Sequence, residues 1–197
     1  MSNPPNAGDL AIVIPGQGAN NLRNKPNGTV TGKIPEHAVL AVLSRPVGWT
    51  GAYPHDDGTH VWWYVRGRTD QKLAADRFEV IEGWTAANEK DQAFLQRWES
   101  TVACRDTMGT ALYTHLQAGQ QAYVLPSDGL NIRKEADPKA TRVGGLPQGT
   151  VVTLTGRPQC SNKTVWWQVQ RIGAAGPAGW ASEGNLVEWF LAPLTLE

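Results

Sequence analysis

The stretch "VWWYV" occupies residues 61–65, and "VWWQV" recurs at 165–169. Side chains on a β-strand alternate between its two faces. Val61, Trp63 and Val65 therefore share one face, and Trp62 and Tyr64 share the other. In the second stretch Val165, Trp167 and Val169 group together, leaving Trp166 with Gln168. With the valine faces as cores, Trp63 and Trp167 are interior, and Trp62, Tyr64 and Trp166 look outward. A small β-fold has little interior, which argues against burying both members of a pair.

The recurrence is not confined to the tryptophans. "NLR" at 21–23 returns as "NIR" at 131–133, and "KIPEHAVLAVL" at 33–43 returns as "GLPQGTVVTL" at 145–154. "EGWTAAN" at 82–88 returns as "AGWASEGN" at 178–185. The landmarks keep their order, and their spacing drifts only in loop-like sequence, which is the signature of an internal duplication. "AIVIP" and "AYVLP" are apolar runs stopped by proline, "AVLAVL" and "TVVTL" have strand length and composition, and "GPAGW" reads as a hairpin turn. Short strands with frequent turn signals predict a small barrel or sandwich in each copy.

Composition agrees. Gly (21) and Pro (13) favour short strands and turns over long helices. Eighteen basic and eighteen acidic residues cancel without a Lys/Arg cluster, which argues against a nucleic-acid partner and against attraction to anionic membranes. No apolar run is long enough to span a bilayer, so membrane insertion is not expected. "MSNPPNAGDL" has neither the charged nor the apolar region of a signal peptide. Two expectations stand together: a secreted, periplasmic or cell-envelope protein whose export segment was removed, or a cytoplasmic one.

The order N-[LI]-R, [IL]-P-x-[GH]-[AT]-V, V-W-W-x-V, G-W-[TA] resembles that of bacterial SH3-like (SH3b) domains. The copy "GLNIRKEADPKATRVGGLPQGTVVTL…VWWQVQ…GPAGWASEGNL" is close to that pattern. The first copy departs from it: His37 stands where the turn usually has Gly, and "RPVGWTGAYPHDDGTH" makes a longer hairpin loop. The resemblance implies a mainly β fold of two small SH3-like β-barrels, at 9–88 (divergent) and 119–192, with a binding role rather than catalysis. It also implies that Trp84 and Trp180, in the "GW" elements, are structural. Arg23 and Arg133 are read as tying loop backbone together rather than touching ligand.

Between the copies, 89–118 reads differently. Phe94, Leu95, Trp98, Val102, Met108, Leu112 and Leu116 fall near helical spacing, with Asn88 as an N-cap ahead of Glu89 and Asp91. A helical connector broken at Gly109 is expected, its apolar face packed on one or both barrels.

Candidate chemistry is sparse. "YPHDDGTH" at 53–60 gathers His55 and His60 beside Asp56 and Asp57 but lacks diagnostic metal-ligand spacing, so it reads as a surface loop and no metal is expected. Tyr53, His55 and Asp57 make that loop a contact surface. Cys104 and Cys160 are the two cysteines, and either they form a disulfide between the connector and the second barrel, in an oxidising compartment, or they are two buried thiols. No phosphate loop, nucleophile elbow or zinc-protease helix is present, so neither a cofactor nor a catalytic residue is assigned. The expected function is recognition of a peptide-like ligand, a peptidoglycan peptide or a protein segment, by Trp62, Tyr64, Trp166, Gln168, Tyr53, His55 and Asp57. The alternatives are an assembly module whose outward tryptophans pack on another chain and, last in order, a cell-wall hydrolase accessory with an unrecognised active site.

Overall fold

The computed structural model describes residues 3–105, 109–173, 178–185 and 187–195. Every regular element among them is a β-strand. Two compact units divide the chain, one within Met1–Gln71, Glu79–Trp98 and Thr195–Glu197, the other within Lys72–Phe78 and Glu99–Leu194.

The first unit is built on β1 (Leu10–Val13), β2 (Asn20–Arg23), β3 (Val30–Ile34), β4 (Val39–Val42), β5 (His55–Asp56), β6 (His60–Ala74), β7 (Arg77–Glu89), β8 (Gln92–Ala93) and β9 (Leu95–Arg97). They form a nine-stranded sheet in the order β3-β2-β7-β6-β4-β1-β9, with β5 on β6 and β8 on β7. Trp63, Val65, Leu22, Ile34, Leu40 and Leu95 close its core. The distal turn of the β6–β7 hairpin, Lys72–Phe78, is grouped with the second unit.

The second unit has a two-stranded sheet of β10 (Thr101–Arg105) and β11 (Ala111–Thr114). Its main sheet contains β12 (Gln121–Val124), β13 (Leu130–Arg133), β14 (Arg142–Leu146), β15 (Val151–Leu154), β16 (Gln159–Ser161), β17 (Thr164–Arg171), β18 (Gly179–Ser182) and β19 (Leu191–Pro193). The order is β14-β13-β18-β17-β15-β12-β19, with β16 on β17. Position for position this repeats the first sheet, down to single pairs: Arg23 faces Trp84 across β2–β7, and Arg133 faces Trp180 across β13–β18. The valine faces of β6 and β17 are the core faces. Trp63 and Trp167 belong to the two apolar clusters, and Trp62 and Trp166 to neither.

The expected helical connector is absent. Residues 89–118 form no helix among those described; they supply β8, β9 and the β10–β11 hairpin. The helical spacing came from apolar residues with separate destinations. Leu95 enters the first core, Leu116 enters the second with Leu112 packed against it, and Val102 is exposed. Thr101, Val102, Tyr113 and Thr114 prefer strands, and Val102 pairs directly with Tyr113. Asn88 caps no helix: its Oδ1 accepts the Val61 amide and its Nδ2 donates to the Lys90 carbonyl. Met108, and Gly176 and Pro177 of the "GPAGW" turn, lie outside the described residues. Among the described residues no helix is long and apolar enough to cross a membrane.

Candidate functional site

In the second unit a cavity of about 350 Å³ opens between the turn before β13, the start of β17 and the segment after β18. Asp128, Asn131, Arg133, Trp166, Glu188 and Phe190 are among its lining residues. Trp166 is 4% exposed, and its indole N–H donates to the Ser161 carbonyl at 3.3 Å. Arg133 Nη1 donates to the Ala140 carbonyl at 2.8 Å, which holds the loop after β13 against the cavity wall. A second depression, lined by Arg142 and Gln148, shares the Asp128–Asn131 turn as a wall.

The first unit carries the counterpart, a cavity of about 230 Å³ lined by Asn21, Arg23, His60, Trp62 and Phe94 among others. Trp62 takes the place of Trp166, Arg23 that of Arg133, Asn21 that of Asn131 and Phe94 that of Phe190. Arg23 Nη1 donates to the Gly28 carbonyl at 2.7 Å, and its guanidinium lies 5.9 Å from the Trp62 ring centre. Both arginines therefore tie loop backbone and also border a cavity.

The tryptophans set apart as outward-looking are on the expected face but are not exposed. Trp62 is 3% and Trp166 4% accessible, and each stands beside an added edge strand, with His55 of β5 paired to Trp62 and Gln159 of β16 paired to Trp166. What remains of each ring is a cavity wall. Asp57 is engaged in internal hydrogen bonds. Its carboxylate accepts the Trp62 indole N–H at 2.8 Å, the Asn27 amide at 2.7 Å and the backbone amides of Thr59 and His60. These donors, the indole foremost, hold its carboxyl far below the usual carboxylate range.

Tyr53 is a packing residue. Its ring meets Trp63 at 5.1 Å and Trp84 at 5.9 Å, its hydroxyl donates to the Leu43 carbonyl, and burial pushes its pKa up to about 12. His55 stands edge-on to Trp49. Tyr64 packs on Trp84 at 5.7 Å and reaches Glu82, and Gln168 is exposed opposite Trp180. Neither Tyr64 nor Gln168 is among the residues lining the two cavities. Trp84 is buried, whereas Trp180 is half-buried, so only the first of the two "GW" tryptophans is fully interior.

Cys104 and Cys160 are joined by a disulfide with Cα atoms 6.0 Å apart, tying the β10–β11 hairpin to β16. A second tie is invisible in the sequence. Glu183, 1% exposed, accepts the Thr114 hydroxyl at 2.6 Å, the His115 amide at 2.8 Å and the Trp167 indole N–H at 2.8 Å. Burial nevertheless raises its pKa, outweighing the three donors. "ASEGN" reads as a polar turn, and nothing in it marks a buried carboxylate. Phe94 and Phe190, by contrast, were readable, since they keep the spacing of the "GW" repeat.

Among the described residues no group of three or more His, Cys, Asp or Glu side chains is placed to hold a metal ion. Comparison with curated proteins finds no match. Residues 128–187, which contain β13 to β18 and most of the cavity around Trp166, match the family described as the bacterial SH3 domain, a type of domain that serves as a binding module.

Proposed function

We propose that this chain is a non-catalytic targeting module of two related SH3-like barrels, residues 9–88 and 119–192, that recognises a peptide-like ligand, foremost a peptidoglycan peptide. The observation that carries the reading is the pair of matching cavities, each walled by the first tryptophan of a Trp-Trp strand and bordered by an arginine, an asparagine and a phenylalanine. A concave, partly apolar surface with a few convergent polar groups suits a short peptide better than a flat patch does. The Cys104–Cys160 bond supports a secreted or cell-envelope location, where disulfides persist. The assembly reading loses its support, because Trp62 and Trp166 have too little accessible area to pack on another chain.

Co-sedimentation with purified peptidoglycan tests the proposal. Asn131 and Asp128 are exposed on the cavity rim, so Asn131→Ala and Asp128→Ala leave the core intact. Together they are expected to weaken pelleting by about tenfold. Unchanged pelleting of the double variant, or no pelleting of the unaltered chain, would sink the wall-peptide reading. No soluble wall fragments are expected to be released.

A further inference from the structure

The two cavities share corresponding lining residues but differ in charge. In the second unit Asp128 and Glu188 line the cavity with Arg133. By the alignment of the repeats, Gly18 and Gln92 stand where those acids are. The first cavity is lined by Arg23 and His60, with no carboxylate among its lining residues.

From this contrast we infer that the first-unit cavity binds the free α-carboxylate end of a peptide. The inference rests on the peptide-binding reading above and assigns one end of the ligand to one cavity.

The geometry supports an anion there. Arg23 spends Nη1 on the Gly28 carbonyl, and its other guanidinium N–H groups have no partner among the described residues. A guanidinium presents a planar fork that matches a carboxylate. The Trp62 face beside it, 5.9 Å away, orients that fork and excludes water on one side. The His60 ring stands 5.5 Å from the Trp62 ring, and its Nδ1 has no hydrogen-bond partner.

Two carboxylates lie near, and neither is among the residues lining the cavity. Asp57, 3.7 Å from His60 Nδ1, is held by the Trp62 indole, Asn27 and two backbone amides. Glu36 accepts the Gly18 amide outside the lining. The cavity volume of about 230 Å³ lies below the range of drug-sized sites, so it admits one terminal residue rather than a run of peptide.

The test uses the full chain labelled with ¹⁵N and two probes, acetyl-alanyl-alanine with a free carboxylate and the same dipeptide as its C-terminal amide. The Trp62 and Trp166 indole N–H signals report the two cavities separately. The free acid is expected to shift the Trp62 signal with an affinity at least about tenfold above that of the amide. Arg23→Gln should erase that preference, and Arg23→Lys should keep part of it. If Arg23→Gln disturbs the fold, the acid–amide comparison on the unaltered chain and on Arg23→Lys decides.

Equal affinity of acid and amide at Trp62, or no shift there, overturns the inference. Inorganic phosphate binding as well as the acid also overturns it, by making the cavity a general anion site. The peptide-binding reading is judged independently by the Trp166 signal and by sedimentation, so it can survive the loss of this assignment.

Discussion

The two units share one strand order and finish their cores by different means. In the first, the long loop between β4 and β6 folds back over its own sheet. Trp49 lies 4.6 Å from Trp84, and Tyr53 packs on both Trp63 and Trp84. The second unit has a short loop there and leaves Trp180 half-buried. It is completed instead by the β10–β11 hairpin, whose Ala103 and Leu112 pack on the core under the disulfide and the Glu183 hydrogen bonds. A small β-unit with too little core of its own thus has two remedies: an aromatic lid from within, or an added hairpin held by covalent and polar ties.

The sharpest way to break this comparison is at Glu183. Its counterpart in the first unit is Ala87, an ordinary core residue. Glu183→Ala removes the acceptor of the His115 amide and the Trp167 indole N–H and the shorter of the Thr114 hydroxyl's two acceptors. A loss of about 3 kcal/mol or more is expected in the second unit. Urea unfolding followed by hydrogen exchange of residues 114–116 checks it, with first-unit amides as the control.

Removing the covalent tie should cost somewhat less. Cys104→Ser with Cys160→Ser is expected to lower second-unit stability by about 2–4 kcal/mol, and a reductant should do the same to the unaltered chain. First-unit exchange rates that rise in step would contradict the separate closure of the two cores.

The equivalent turns offer a subtler contrast. Gly149 has φ of 77°, and a Cβ there would meet the Phe78 carbonyl oxygen at 1.9 Å, so Gly149→Ala should cost about 2 kcal/mol. His37 holds the same turn with φ of 61° and a full side chain. His37→Gly should therefore gain up to about 1 kcal/mol, read as a higher midpoint of thermal unfolding.

The smallest effect is a difference in sign. Asp57 has a depressed pKa, so its contribution to the first unit is present above the ordinary value of 3.8 and lost as pH falls through its folded pKa. Glu183 has a raised pKa, so its contribution to the second unit is fully present below 4.5 and lost as pH rises through its folded pKa. Asp57→Asn and Glu183→Gln should each flatten the pH dependence of one unit, in opposite directions. Hydrogen exchange across pH 3 to 8 measures both.

The sequence was most informative where chemistry repeats in register. "NLR" and "NIR" lie on β2 and β13, the Trp-Trp pairs on β6 and β17, and the "GW" elements on β7 and β18. Strand alternation also placed Trp63 and Trp167 inside. It could not bury Trp62 and Trp166, since their surroundings, Asp57, His60 and Arg23 at the first and Ser161 at the second, are set by tertiary packing. The 89–118 segment misled because four short strands whose apolar residues enter different cores can mimic a helical period. Glu183 was hidden for a plainer reason: a carboxylate is ordinarily solvated, and only its three donors make this one interior.

The disulfide has a consequence for how the chain would come apart. Cys104 and Cys160 are 56 residues apart, and the segment between them contains β11 to β15 with their connecting turns. A protease cutting once in any of those turns would open the backbone without releasing a fragment, because both ends stay joined through sulfur. Such a nicked chain would run as one species on a gel until reduced and as two afterwards. In a protease-rich setting outside the cell, a single cut there would leave the Asp128–Arg133 wall of the cavity attached to Trp166.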